Sequence, residues 1–302
     1  MHRTPPVHLH RWTSIIRRLA LSLAVMSLAC GVDRRDPVSK AARGADQLWR
    51  SRADPGGLER ALTAYEDLDA RFPGDSRVLW RLARLHTLLG DRDPDRAVRQ
   101  YGIAKELGLQ CLMLQPSFSG LVLAQGGMVP PKAAKELAEE DRECLVWTTI
   151  AWSRWARARG PSGVGLDLAT IVSLGNRSVE LAGNWGNGRA FHAQALALSV
   201  PPPSLGADFE GAKAACDKAI EASPERLVVR VDCAEFVLRP MGKTEEADAM
   251  LRKVAEIVPA QDDADLLEDR LAVIRACRAL GLPEPIFTTA EPSADVDADA
   301  EP

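Results

Sequence analysis

Ala212-Lys213-Ala214-Ala215-Cys216-Asp217-Lys218-Ala219-Ile220-Glu221-Ala222-Ser223-Pro224 sets a small residue, a bulkier one four later, a small one three beyond that, and a closing proline. On a helix those three positions share one face, and the proline ends the segment because it cannot continue an α-helix. The order returns at Ala247, Leu251, Val254 and Pro259, a step of 35 residues from Ala212 to Ala247. It also stands earlier, at Ala61, Tyr65, Leu68 and Pro73. In each copy the proline lies twelve residues after the first alanine. Helical hairpins of the tetratricopeptide (TPR) type repeat at about 34 residues with this arrangement. The expected fold is therefore all-α, a TPR-like array of helical hairpins in an α-solenoid or superhelix.

Outward from these copies the chain keeps a helical composition, rich in Ala, Leu, Arg and Glu and poor in Ile, Thr and Tyr. Breaks at Asp54-Pro55-Gly56-Gly57, Phe72-Pro73-Gly74-Asp75 and Gly90-Asp91-Arg92-Asp93-Pro94 divide Val38–Gly108 into single helices. Cys111–Pro131 reads as an irregular excursion with room for one short helix. Helices are expected over Lys132–Arg159, Asp167–Ala182 and Gly188–Val200, before a rigid connector, Pro201-Pro202-Pro203-Ser204-Leu205-Gly206.

Both ends differ from this body. Arg3, Arg11, Arg17 and Arg18 precede an apolar run, Leu19–Leu28, that is shorter than the roughly 20 residues a spanning helix needs. Ser27-Leu28-Ala29-Cys30 follows, with Ser27 where a lipoprotein cleavage site usually has leucine. The expected organisation is a signal peptide at 1–29, a lipidated Cys30 with a tether to residue 37, a helical domain at 38–287 and an acidic, disordered tail at 288–302.

Export makes disulfides possible. Cys216 and Cys233 lie eight residues before and nine after Pro224, at one level of an antiparallel hairpin. Cys111 and Cys144 flank the irregular excursion and form the other candidate pair, with Cys277 as a free core thiol.

A net charge of −4 with no basic stripe argues against a grip on nucleic acid. No phosphate-binding loop, zinc-binding His-Glu-x-x-His or nucleophile elbow is present, and the mature part keeps only His86 and His192, both read as packing or surface residues. No catalytic residue, metal ligand or cofactor is assigned, and a binding scaffold is expected rather than an enzyme. Trp147, Trp152 and Trp155, with the connector residues Pro202 and Leu205, are the candidate apolar pocket; filling of the core between hairpins is the alternative.

From Glu143 onward the order of features resembles the TatT family of TPR-like lipoproteins associated with tripartite ATP-independent periplasmic (TRAP) transporters. The resemblance rests on Trp147-Thr148-Thr149-Ile150-Ala151-Trp152, a helix ending around Ser178-Val179-Glu180-Leu181, then Pro202-Pro203-Ser204-Leu205-Gly206. It continues through Lys213-Ala214 to Ala219-Ile220-Glu221 and an alanine-rich closing helix near Leu271–Leu280. The resemblance implies a periplasm-facing protein, lipid-anchored in the outer membrane through Cys30, that binds the transporter's soluble substrate-binding protein. It further implies a homotrimer and a hydrophobic channel for an apolar small molecule. The competing expectation is an envelope scaffold that organises another complex and holds no ligand.

Overall fold

The computed structural model describes residues 36–160, 165–183, 185–260 and 265–287. The expectations for the signal peptide, Cys30, its tether before Asp36 and the acidic tail lie outside the described residues. Contacts divide the chain at Lys40, and the main unit runs from Ala41 onward. Among the described residues there is no β-strand.

The α-helices are α1 Pro37–Arg50, α2 Gly57–Arg71, α3 Ser76–Arg92, α4 Ala97–Leu112, α5 Pro116–Ala124 and α6 Arg142–Arg159. They continue with α7 Leu168–Ala182, α8 Trp185–Leu198, α9 Phe209–Ala222, α10 Leu227–Cys233, α11 Thr244–Ala255 and α12 Leu266–Ala279. Sequence neighbours pack as hairpins: α3 on α4, α7 on α8, α8 on α9, and α11 on α12. The central helix α6 touches α3, α4, α7 and α8, and α12 packs on α10 and returns to α3, closing the array on itself. The molecule is an all-α helical array.

All nine residues of the three spaced sets are buried: Ala61, Tyr65 and Leu68; Ala212, Cys216 and Ala219; Ala247, Leu251 and Val254. Small side chains set the inter-helix distance where backbones approach closely. At Gly90 a methyl group would overlap the Tyr101 ring of α4, and at Gly175 it would overlap Ala197 of α8.

Three local features refine the sequence reading, the first of them a correction. Lys132–Asp141 is not α-helical but forms two 3-10 turns, Pro131–Glu136 and Glu139–Asp141, with α6 starting at Arg142. Asp141 reaches back to accept the Ala138 N–H at 2.9 Å, and Leu137, buried and extended, separates the turns. In α8 the segment Gly186, Asn187 and Gly188 takes left-handed backbone angles, so regular helix begins after it. Gly188 also faces Ala219 and Ala222 of α9, where a side chain has no room. Finally, α10 runs into a π-helical turn, Ala234–Leu238.

Candidate functional site

Charge is carried into the middle of the array by helical periodicity. Arg84, Thr87 and Asp91 recur at intervals of three and four on α3, as do Trp147, Ile150 and Arg154 on α6. Arg189 and His192 share a face of α8, and Asp265, Glu268 and Arg275 line one side of the last helix and its cap. The closure of α12 onto α3 brings these faces together.

Two ion-pair networks result. In the first, Asp265 meets Arg84 at 2.7 Å and Arg226 at 3.4 Å and also pairs with Arg189, while Glu268 meets Arg52 at 3.0 Å and Arg84. In the second, Asp232 lies 2.7 Å from Arg154, 2.8 Å from Arg275 and 2.7 Å from His192 Nε2. Arg154 also reaches Asp91 at 2.9 Å, and the Tyr101 hydroxyl donates to Asp91 at 2.7 Å. Glu235, from the π-helical turn, pairs with Arg275. Asp232 is 1% exposed, so these charges interact with little solvent screening.

The electrostatics follow from burial set against neighbours. Burial pushes the Asp232 carboxyl up, but Arg154, Arg275 and the His192 hydrogen bond outweigh it and hold the group far below the usual range. Asp265 and Glu268 behave alike, burial being overcome by Arg189, Arg84 and Arg226 for the first and by Arg84 and Arg52 for the second. Asp91 goes the other way, because burial outweighs Arg154 and Arg275. Burial, then the repulsion of Arg84 and Arg226, brings the Arg189 guanidinium down to about 9. Burial also lowers His192 against the pull of Asp232.

These directions give a pH dependence with a definite sign. His192 is held below its ordinary value of 6.5, so below that pH the unfolded chain binds more protons and stability falls with pH. His86, lowered by burial, adds in the same direction. The stabilisation from Asp232 and Asp265 is fully present above their ordinary value of 3.8 and is lost as pH falls through their lower folded values. Urea unfolding midpoints should therefore decline gently from pH 7 to pH 5 and steeply below about pH 4. A midpoint that is flat between pH 7 and pH 5 would contradict the burial of a neutral His192.

Between the second network and solvent lies a cavity of about 240 Å³, lined by Asp91, Tyr101, Arg154, Glu235, Phe236 and Arg275 among others. A smaller one of about 20 Å³ lies between the networks and is lined by Trp147, Arg154, Arg189, His192 and Arg226 among others. Both are walled by charge as well as by apolar surface.

The five residues read from the sequence as an apolar pocket do not share one cavity: Trp152 and Trp155 pack in one cluster under Lys105 Nζ, 5.1 and 4.2 Å from their rings, and Trp147 in another. Trp147 is buried beside Val146, Ile150, Ala190 and Leu196, with the Arg84 guanidinium 4.8 Å from its ring centre. Trp152 is 3% exposed in a separate cluster with Ala156, Leu168, Ile171 and Leu174, and its indole N–H donates to Asp167 at 3.2 Å. Trp155 is half-buried beneath Lys105 Nζ, 4.2 Å from its ring. Pro202 is half-buried and Leu205 is 59% exposed. Of the five, Trp147 alone lines either cavity.

The cysteines are bonded Cys111–Cys144 and Cys216–Cys233, with Cα atoms 5.6 and 6.0 Å apart, and Cys277 is free and buried. Denatured, unreduced protein lipidated at Cys30 should therefore titrate one thiol, and three or more would show that a bridge is missing. Closing the loop between Cys216 and Cys233, 17 residues apart, stabilises the chain by roughly 3 kcal/mol. Cys216→Ala should lower the unfolding midpoint accordingly.

The sequence reading does not single out these charged residues, and it places His192 among packing or surface residues. The signal was present: Asp232 stands between Val231 and Cys233-Ala234 in an apolar helix, and Arg154 stands between Trp152 and Trp155. A charge inside an apolar helix needs a partner or it would not be there.

No curated protein matches the chain. The family model for the TRAP transporter T-component (TAtT) matches residues 89–287, from the end of α3 through α12. That span holds the central helix α6, both disulfides, both halves of the Asp232 network and the closing helix, which makes the chain a member of the TRAP transporter T-component family.

Proposed function

We propose that this chain is a lipid-anchored, periplasm-facing T-component whose TPR-like array binds the soluble substrate-binding protein of a TRAP transporter. The observation that carries the reading is the match of residues 89–287, because it covers an array of packed hairpins rather than one local motif. Arrays of this type recognise partners through extended surfaces supported by rigid helices. Cys30 supplies the membrane link; no single described helix is long and apolar enough to cross a bilayer. A homotrimer in the outer membrane belongs to the same proposal.

The ligand is a separate question. A second reading, a scaffold without an apolar small molecule, is favoured by the burial of Trp147 and Trp152 in separate core clusters and by the charge that walls both cavities.

The test is chemical cross-linking in intact cells, followed by purification of the lipidated chain and mass spectrometry of attached proteins and co-purified small molecules. A TRAP substrate-binding protein as the main cross-linked species supports the first reading, and an apolar compound at stoichiometric amounts would restore the ligand. Recovery of envelope assembly proteins alone would sink the TRAP reading. The anchor is tested apart: Cys30→Ala should leave the precursor uncleaved or move the protein out of the detergent phase.

A further inference from the structure

We infer that helix α5 and the loop after it lie in the surface of the lipid bilayer that holds the Cys30 anchor, as a shallow apolar wedge. From Leu107 to Pro131 no residue is charged. One face of α5 is core: Phe118 and Val122 turn into the cluster around Cys111, Leu112 and Leu137. The other face is open. Pro116, Gly120, Leu123 and Ala124 recur at helical spacing and are exposed, with Leu114 before them and Met128 after. Leu114 is 45% exposed, and Leu123 and Met128 are 62% exposed. Scattered exposed leucines need no explanation, but a continuous uncharged face does. Lys132 and Lys135, with Glu136, stand exposed at its edge, where headgroups would meet them.

The place of this face in the fold names its occupant. α1 runs alongside α3 in the same direction, with Asp46 3.7 Å from Arg81 Nε and the Trp49 ring centre 4.9 Å from the Arg84 guanidinium. Carried back along α1, that register sets Ala41, where the chain enters the main unit, level with Ser76 at the start of α3. The end of α4 reaches the same level: Cys111 Sγ lies 3.5 Å from the Ser76 carbonyl, and a methyl group on Gly74 would touch Leu114. The chain therefore enters, and α5 begins, at one end of the array. Ala41 is eleven residues past Cys30, a reach of at most about 40 Å even fully extended, so this end faces the bilayer. From the helix that ends at Leu112, α5 turns through 115° and lies nearly crosswise there. A helix lying flat, one apolar side in the acyl boundary, is the form that interfacial binding takes. This inference rests on the Cys30 anchor proposed above.

The experiment uses the full lipidated chain in vesicles of phosphatidylethanolamine and phosphatidylglycerol, carrying Leu123→Cys labelled with an NBD dye. Cys277 is buried, so the introduced thiol takes the label. Glu59→Cys, at a side chain 51% exposed beside Arg92 at the opposite end of α3, is the control. The Leu123→Cys dye is expected to shift to the blue, to lose intensity with doxyl-labelled lipid and to resist iodide. The control dye should show the reverse. Leu114→Asp with Met128→Asp should return the first dye to water without changing the circular dichroism, both sites being exposed. A Leu123→Cys dye open to iodide overturns the wedge. A dye shielded from iodide yet untouched by doxyl lipid overturns it in favour of a protein cover, such as a second copy of this chain. Detergent-phase partition of the unlabelled chain separates the two readings. A chain left in the aqueous phase fails the anchor, and the wedge with it; an anchored chain with its dye in water fails the wedge alone.

Discussion

Asp232→Ala should destabilise the protein by about 3–5 kcal/mol, the range found when one partner of a buried ion pair is removed. The side chain joins Arg154 of α6, His192 of α8 and Arg275 of α12 from its place in α10. Its removal takes from Arg154 and Arg275 one of their two acidic partners each, leaving Asp91 and Glu235, and takes from His192 Nε2 its buried partner. Asp217, 62% exposed and paired with Lys213 one turn away, supplies the control. Asp217→Ala should change stability by less than about 1 kcal/mol, because exposed pairs are screened and contribute little. Urea titration of both variants at pH 7 checks the contrast. A loss at Asp232 no larger than that at Asp217 would mean that water reaches the network in solution.

Trp152→Ala comes next in size, at about 3–5 kcal/mol. The indole is nearly fully enclosed by Ala156, Leu168, Ile171 and Leu174, so truncation leaves a void that these small and branched neighbours cannot fill. Trp155→Ala, on the same helix but half-buried, should cost less. Thermal unfolding of the pair tests the placement, and a dye or fatty-acid displacement assay supplies the second readout. A stable Trp152→Ala protein that loses binding of an apolar compound would return Trp152 to the wall of a ligand site.

These two variants also mark how far sequence reasoning reached. The hairpins were readable because small residues at fixed spacing and terminating prolines are local signals, and the nine spaced residues are all buried. The turn geometry of Pro131–Asp141 was not, since its cause is the reach of Asp141 to the Ala138 N–H within otherwise helix-compatible residues. The tryptophans could be assigned to an inner helix but not to a cavity or a core. A helix buried on all sides presents the same side chains in either case, and only the neighbours settle which they meet. The charged centre depends on contacts such as Arg52 to Glu268, 216 residues apart, which no periodicity encodes.

That span also governs how the molecule can be assembled. A linear solenoid can lose its terminal repeat and keep the rest, because each unit leans on its neighbour alone. Here the last helix and the residue that caps it supply Glu268 and Asp265 to arginines in the first third of the chain, at Arg52 and Arg84. Until α12 has docked, those arginines lack these two carboxylates. Structure therefore cannot accumulate repeat by repeat from the N-terminus; the barrier falls late, when the two ends meet. Such closure of distant segments is slow, and a chain ending before Asp265 should populate expanded, protease-sensitive forms rather than a shorter native array.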